Sequence, residues 1–257
     1  LKKPRLKEED HKNLQAMARF KGFKVDFLGN LMEGCDAASF LSQNAEIFGR
    51  EIYKFPSSTH SPFILDIGSN IGMSIIYFKY LFEGARIIGF EPDPMIFDIL
   101  DKNLKSFEIT DTVIHKFACS SKEGNLIFKS NNADGGKITK EYGEVGLQAV
   151  KSVKASQFIN EEVDFIKIDA EGSEYEILKD IEHKLPHVKQ IFVEYHAFSV
   201  VESSLGPMLS LLEKNNFFYS IEQNNRKISS PFEQSFENLK KEKNFLNIFC
   251  FNKDFYN

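Results

Sequence analysis

Short apolar runs alternate with helix-like segments along the chain from residue 61 onward. The runs have the length and the continuous apolar character of strands that are buried on both faces of a sheet. Alternation of such strands with helices predicts βαβ units around a parallel sheet. The predicted strands are Phe63–Ile67, Arg86–Phe90, Val113–Ala118, Phe165–Ile168 and Ile191–Val193, and the predicted helices are Met73–Phe82, Met95–Lys105, Glu174–Lys184 and Pro207–Asn215.

The two ends of the chain have different patterns. Residues 1–60 are more polar and predict a helical extension that caps the main domain, with one helix in Lys7–Phe20 and another from Asp36 to Gly49. Near the other end, the strand-like runs Phe217–Ile221 and Leu246–Phe251 are separated by a polar loop too short for a long crossover helix, which predicts an antiparallel pair. We therefore expect an α/β domain over residues 61–257, with a doubly wound, mostly parallel seven-stranded sheet that includes an antiparallel C-terminal strand.

Residues 122–153 interrupt the alternation with a segment rich in Gly, Asn and Lys. Its run Asn131–Gly136 is typical of a turn or loop tip. An excursion of this length is either functional or a plain surface hairpin, so it is a candidate lid over a substrate.

Composition narrows the classes of protein that the chain can represent. The net charge of −5 and the sequence pI of about 5.8 do not suit a nucleic-acid binder, which usually carries a basic stripe. We find no apolar run near the roughly 20 residues that span a bilayer and no secretory leader, so we expect a cytoplasmic protein that does not bind membranes. Cys35, Cys119 and Cys250 are far apart in sequence and predict reduced thiols.

The loop after the first predicted strand has the residues of a nucleotide-type site. Gly68 and Gly72 permit a tight turn and close approach of a ligand, and Ser69 and Asn70 lie between them. Asn70 stands where the dinucleotide fingerprint G-x-G-x-x-G needs its middle glycine. Asp66 would repel a pyrophosphate but attract an ammonium group, which favours S-adenosylmethionine as the ligand. The alternative is that Asp66 only caps a helix and the glycines only turn the chain.

A second acidic anchor follows the second predicted strand. Glu91 stands where doubly wound sheets place the carboxylate that accepts both ribose hydroxyls, and Pro92 stiffens the turn. Asp93 is the expected N-cap of the next helix. Ala118 and Cys119 close the third predicted strand in the same layer, so we expect them to contact the adenine.

Polar residues also follow the fourth and fifth predicted strands. Asp169 is expected to face the loop of Asp66 and Gly68, near the transferred methyl group, and Glu171 to line the same pocket. His196 or Asp169 is the candidate general base, since an acceptor alcohol must lose its proton. Alternatively, Asp169, Glu194 and His196 hold Mg²⁺ or Mn²⁺, although we do not favour a metal. Glu174 and Glu176 are expected only to complement the dipole of their helix.

Together these segments resemble the FkbM family of S-adenosylmethionine-dependent methyltransferases. The resemblance covers roughly residues 61–198 and rests on Leu65–Gly72, Phe90–Pro92, Asp164–Glu174 and Val193–His196. It implies a class I methyltransferase fold and O-methylation of sugars or polyketide-like metabolites, with S-adenosylhomocysteine as the second product. It also implies cofactor contacts for Asp66, Gly68, Asn70 and Glu91.

By analogy with the family, we expect a small-molecule acceptor, namely a bacterial surface sugar that can still carry its nucleotide. The extension before residue 60 and the insertion after Lys122 are the segments expected to select it. An NAD-dependent oxidoreductase and a non-catalytic scaffold that keeps the fold are the competing hypotheses. The sequence indicates no oligomeric state.

Overall fold

The computed structural model describes residues 6–129, 137–139, 147–197, 203–223, 233, 235, 237 and 244–256. The chain divides into two compact units. The first comprises Leu1–Ala118 and Asn125–Lys151, and the second comprises Cys119–Gly124 and Ser152–Asn257. Among the described residues, no helix combines the length and the apolar character needed to span a bilayer.

The elements follow the expected α/β alternation over most of the chain. The helices are α1 (Glu8–Gln15), α2 (Ala37–Asn44), α3 (Met73–Leu81), α4 (Pro94–Ser106), α5 (Glu174–Ile181) and α6 (Leu205–Lys214). The strands are β1 (Phe23–Phe27), β2 (Asn30–Gly34), β3 (Phe63–Ile67), β4 (Arg86–Phe90), β5 (Val113–His115), β6 (Ala118–Cys119), β7 (Gly124–Lys129), β8 (Lys137–Thr139), β9 (Leu147–Val153), β10 (Phe165–Ile168), β11 (Gln190–Ala197), β12 (Phe217–Gln223) and β13 (Asn244–Asn252).

The main sheet has seven strands in the order β12-β13-β11-β10-β3-β4-β5. The pairs β3–β4, β4–β5 and β10–β11 are parallel, and β13 runs antiparallel to β11 and β12. This topology confirms the predicted fold class, including the antiparallel C-terminal pair. A second sheet has the order β6-β9-β7-β8.

In the first unit, β3 is followed by α3 and β4 is followed by α4. All five residues of β3 are buried, as expected for a central parallel strand. Asp93 caps α4 by accepting hydrogen bonds from the N–H groups of Met95 and Ile96, and Pro94 occupies the first turn. The N-cap at Asp93 was predicted from the sequence, and the structure confirms it.

The extension before residue 60 contains a hairpin that the sequence analysis missed. Strands β1 and β2 pair antiparallel, and Leu28 and Gly29 form their turn with φ of 56° and 86°. Positive φ at both positions is the geometry of a tight two-residue hairpin turn, but a leucine there carries no sequence signal. The α-helices α1 and α2 are shorter than predicted, and a π-helical turn over Ala45–Arg50 continues α2.

Aromatic side chains join the hairpin to the helices of the first unit. Phe27 meets Phe40 of α2 and Phe48 edge-on, with ring centroids 5.5 and 5.0 Å apart, and Phe48 meets Tyr77 of α3 at 5.2 Å. Such edge-to-face pairs add to the stabilisation that burial of the rings supplies. The extension is therefore packed against α3 by a continuous aromatic core.

Two predicted strands have different ends in the structure. The third strand, β5, ends at His115 rather than Ala118, because Ala118 and Cys119 form β6 in the other sheet. An apolar run does not reveal where its pairing partner changes. The fifth strand, β11, runs to Ala197, so Glu194 and His196 lie within the strand rather than after it.

The predicted lid, residues 122–153, includes β7, β8 and β9. Residues 127–129 pair with 137–139 antiparallel. Phe128 and Val150 form a small buried cluster with Ala118. The predicted turn Asn131–Gly136 and residues 140–146 lie outside the described residues, and the choice between a lid and a surface hairpin stays a prediction.

Candidate active site

The loop after β3 folds back over the end of β4. The N–H groups of Gly68 and Ser69 both donate to the carbonyl of Phe90, at 3.0 and 2.9 Å. Gly68, Asn70 and Gly72 have φ of 82°, 48° and 95°. Asn is one of the few residues other than glycine that tolerate this region, which explains how the loop turns without a middle glycine.

Asp66 lies at the base of this loop and is fully buried. Its Oδ2 accepts a hydrogen bond from the Ser74 hydroxyl at 2.7 Å, and its carbonyl accepts one from the Ser69 hydroxyl at 2.9 Å. Asp66 therefore holds the loop and the first turn of α3 together. Its predicted contact with an ammonium group stays a prediction.

Glu91 follows β4 and binds the same loop with its carboxylate. Oε2 accepts the N–H of Asn70 at 2.9 Å, and Oε1 accepts the N–H of Asp93 at 2.8 Å. Glu91 is buried, and Pro92 separates it from the N-cap of α4. Each carboxylate oxygen has a second lone pair, so these bonds are compatible with acceptance of ribose hydroxyls. The structure thus brings Glu91 together with Asn70, and their contacts with a cofactor stay a prediction.

The second unit gathers the other predicted residues around His196. Nδ1 of His196 lies 3.2 Å from Oε1 of Glu174, and Nε2 lies 3.7 Å from Oε1 of Glu194 and 4.0 Å from Oε1 of Glu171. Ligand atoms of Asp169, Glu171 and His196 all lie within 4.8 Å of one another. Among the described residues, this is the group that could hold a metal ion. It shares Asp169 and His196 with the ligand set considered from the sequence, but its third residue is Glu171 instead of Glu194.

Glu174 is a residue whose contribution the sequence analysis missed. It begins α5, as predicted for a residue that complements the helix dipole, but it is buried. Its Oε1 accepts the N–H groups of Gly172 at 2.8 Å and Ala170 at 3.3 Å, in addition to contacting His196. Glu174 therefore orders the turn that carries Glu171. In this turn the backbone of Glu171 has a positive φ of 49°.

Lys167 was also not assigned a role from the sequence. It is buried in β10, and its Nζ lies 3.3 Å from Oδ2 of Asp169. A charged lysine is rarely buried without an acidic partner. The signal in the sequence was a lysine inside an otherwise apolar strand, two residues before an aspartate.

The acidic surroundings of His196 control its protonation. Burial favours the neutral ring and would lower the pKa of His196, but the hydrogen bond to Glu174 and the charges of Asp169 and Glu171 outweigh burial and raise it to about 10. The imidazolium is the form favoured near neutral pH in this arrangement, whereas a general base must be neutral. The predicted catalytic role of His196 stays a prediction.

The remaining predicted contacts are Ala118 and Cys119, which are buried in β6. The pKa of the Cys119 thiol is raised far above its usual range, mainly by burial and to a smaller extent by the negative charge of Asp180. Their predicted adenine contact is not tested by these observations, and neither is the expectation that Asp169 faces the loop of Asp66.

Known proteins similar to this chain are methyltransferases. The Methyltransferase FkbM domain matches residues 66–219. This range contains the loop after β3 with Glu91, and also the residues gathered around His196. Methyltransferase sdnD of Sordaria araneosa is 27% identical over 210 residues, which cover 67% of this chain and 80% of that protein. These matches confirm the resemblance found in the sequence motifs.

Two further relatives have more informative names. Hexuronic acid methyltransferase AglP of Haloferax volcanii is 31% identical over 139 residues, which cover 51% of this chain and 55% of that protein. The 2-O-methyltransferase NoeI of Sinorhizobium fredii is 26% identical over 173 residues, which cover 59% of this chain and 70% of that protein. The solved structure of StiE O-MT aligns with 85% of this chain and with 77% of the StiE chain, with a TM-score of 0.50 and 10% sequence identity. This likeness supports the fold.

Proposed function

The chain belongs to the FkbM methyltransferase domain family, and from this premise we propose that it transfers the methyl group of S-adenosylmethionine to a sugar hydroxyl. The family accounts for the methyl donor. In this reaction the bond from sulfur to the methyl carbon breaks as a bond from the acceptor oxygen to that carbon forms. The hydroxyl passes its proton to one of the two candidate bases, Asp169 or His196, and S-adenosylhomocysteine is the second product.

The buried carboxylate of Glu91 is the observation that best supports the cofactor assignment. It binds the N–H groups of Asn70 and Asp93 and thereby fixes the loop after β3 against the end of β4. This is the edge at which open α/β sheets bind nucleotides, and a carboxylate there is suited to two neighbouring ribose hydroxyls. We assign the methionine end of the cofactor to the loop of Asp66, Gly68 and Asn70.

The cluster of Asp169, Glu171 and His196 supports the assignment of acceptor activation. Methyl transfer to oxygen requires that the hydroxyl be positioned in line with the sulfonium and lose its proton. These three side chains offer carboxylate and imidazole groups within 4.8 Å of one another, a density of polar groups suited to holding a hydroxyl. We propose that this cluster activates the acceptor.

The relatives favour a sugar as the acceptor. AglP is named for a hexuronic acid and NoeI for 2-O-methylation, which together favour a secondary hydroxyl of a sugar. A nucleotide-activated sugar is the form we propose first, and a polyketide-like alcohol is the alternative acceptor. Family membership argues against the NAD-dependent oxidoreductase considered from the sequence.

An acceptor screen tests this proposal. The purified chain is incubated with S-adenosylmethionine and a panel of UDP-hexuronic acid, methyl hexuronosides and a polyketide alcohol, and products are identified by mass spectrometry. We expect a gain of one methylene mass on a sugar and its loss in Asp169→Asn, while Glu83→Gln, which changes an exposed acid, retains activity.

Three outcomes would contradict parts of the proposal. Methylation confined to the polyketide alcohol would refute the sugar assignment. Binding of S-adenosylhomocysteine without turnover on any acceptor would favour the non-catalytic scaffold. Thermal stabilisation by NADH but not by S-adenosylhomocysteine would refute the cofactor assignment.

A further inference from the structure

We propose that Asp169, Glu171 and His196 form a binding site for a divalent cation of the Mg²⁺ and Mn²⁺ class. Their ligand atoms lie within 4.8 Å of one another. Oxygen ligands bind Mg²⁺ at about 2.0–2.1 Å, so ligand atoms on opposite sides of one ion are about 4 Å apart, slightly less than the 4.8 Å limit seen here. The three side chains are therefore close enough to bind a single ion with only small adjustments.

The donor set suits this class of ion. Two carboxylates and one imidazole combine the hard oxygen ligands that Mg²⁺ and Mn²⁺ prefer with a nitrogen that Mn²⁺ accepts readily. The site is also partly enclosed, because the side chain of His196 is only 8% exposed and that of Glu171 only 17% exposed. Three protein ligands leave coordination positions for water or for hydroxyl groups of a substrate.

Glu174 orients His196 as a metal-binding imidazole. An ionised carboxylate can only accept, so Nδ1 of His196 must donate its N–H to Glu174 across 3.2 Å. In the neutral ring the lone pair is then on Nε2, the nitrogen that faces Glu194 and Glu171. Metal-binding histidines almost always donate their other N–H to a carboxylate or carbonyl in this way.

The charges around His196 also favour a cation. Asp169, Glu171, Glu174 and Glu194 surround the imidazole, and Lys167 supplies a positive charge to Asp169. Like charges in a partly buried site repel one another strongly because little water screens them. A divalent ion that takes the place of the proton on Nε2 adds one further positive charge to the cluster, and so offsets this repulsion more completely.

The ion also gives the acceptor-activating cluster a specific chemistry, and this part of the inference rests on the proposed function. A divalent cation binds a hydroxyl oxygen directly and makes transfer of its proton to water or to a neighbouring carboxylate easier. A sugar presents neighbouring hydroxyls that can occupy two open positions at once. His196 is then a ligand, and the cation rather than the imidazole prepares the acceptor oxygen.

Binding of Mn²⁺ to the full chain tests the site without any need for catalysis. Mn²⁺ is titrated into protein pretreated with chelator, and the free ion is followed by its electron paramagnetic resonance signal. We expect saturable binding of one ion per chain and competition by Mg²⁺. Glu171→Gln and His196→Gln should each weaken binding by at least about tenfold, since each removes a ligand.

Glu83→Gln is the matched control, because it neutralises an exposed acid and should bind Mn²⁺ with the affinity of the unchanged protein. Circular dichroism establishes that each variant is folded. The inference is overturned if the unchanged protein shows no saturable binding, or if both ligand variants retain its affinity. The titration contains neither S-adenosylmethionine nor an acceptor, so its result does not depend on the outcome of the acceptor screen. Conversely, a protein that binds no Mn²⁺ can still transfer a methyl group.

Discussion

The carboxylate of Glu174, at the start of α5, lies 3.2 Å from Nδ1 of His196 in β11. This contact joins a helix terminus to a strand residue 22 positions further along the chain. It defines which ring nitrogen faces Asp169 and Glu171, and so it determines what chemistry the cluster can perform. We therefore propose that Glu174 positions His196 within the cluster.

Glu174→Gln should lower turnover while leaving cofactor affinity nearly unchanged. The amide replaces a charge-assisted hydrogen bond, and losses of about 10–100-fold are typical when a carboxylate that orients a functional histidine is removed. Steady-state kinetics and calorimetry with S-adenosylhomocysteine measure the two quantities. Glu176→Gln on the same helix is the control, since that carboxylate contacts Lys179 and Ser121. Equal losses in both variants would contradict a specific role for Glu174.

Glu91→Gln should weaken S-adenosylhomocysteine binding by about tenfold or more, because one carboxylate oxygen that accepts a backbone N–H becomes an amide donor. The loop that carries Asn70 then loses its fixed position. Calorimetry measures the affinity. His196→Gln should retain cofactor affinity, and a comparable loss of affinity in both variants would refute the separate roles assigned to the two groups.

Gly89→Ala should destabilise the protein by about 1–3 kcal/mol, as expected for overpacking in a core. An added Cβ would lie 2.7 Å from Oγ of Ser69 and 3.1 Å from Cδ1 of Ile75. Chemical denaturation measures the free energy of unfolding. Ser69→Ala removes the closer clash, so the double variant should recover part of the loss.

Gly206→Ala is the control for Gly89→Ala, because nothing lies within 4 Å of its added Cβ. Gly206 lies in α6, where alanine should be neutral or stabilising by up to about 1 kcal/mol. If Gly89→Ala is as well tolerated as Gly206→Ala, then β4 and the loop after β3 are not packed as tightly as described.

Asn103→Ala should destabilise the first unit by about 2–4 kcal/mol, because three backbone groups that are buried or partly buried lose their partner together. Its amide donates to the carbonyls of Glu33 and Ile71, and its Oδ1 accepts the N–H of Glu33. Chemical denaturation compares it with Asn13→Ala, an exposed position on α1. Similar unfolding free energies in the two variants would show that Asn103 does not hold β2 to the loop after β3.

Cys119 and Cys250 should resist thiol reagents in the native protein. Both are buried, and burial raises the pKa of each thiol, so the reactive thiolate stays scarce even as the pH rises to 9. Reaction with a chromogenic disulfide should therefore label at most the partly exposed Cys35 rapidly, and all three cysteines after denaturation. Rapid labelling of two or more thiols in the native state would contradict this packing.

The sequence alone was sufficient for features that depend on neighbouring residues. The continuous apolar run of β3, the N-cap at Asp93 and the turn around Gly68 and Gly72 were all predicted, because local backbone geometry and burial on both faces leave direct signals in residue order. The motifs that resemble the FkbM family lie in these same segments, so the fold and the class of enzyme were predicted with them.

Only the tertiary structure decided features that depend on distant partners. The change of sheet between His115 and Ala118, the contact of Glu174 with His196 and the pairing of Lys167 with Asp169 follow from which strands and helices become neighbours. A glutamate in the first turn of a helix gives the same local sequence pattern whether its carboxylate faces water or a buried imidazole. Side-chain chemistry in this protein is therefore determined by long-range packing, whereas its secondary structure follows largely from local pattern.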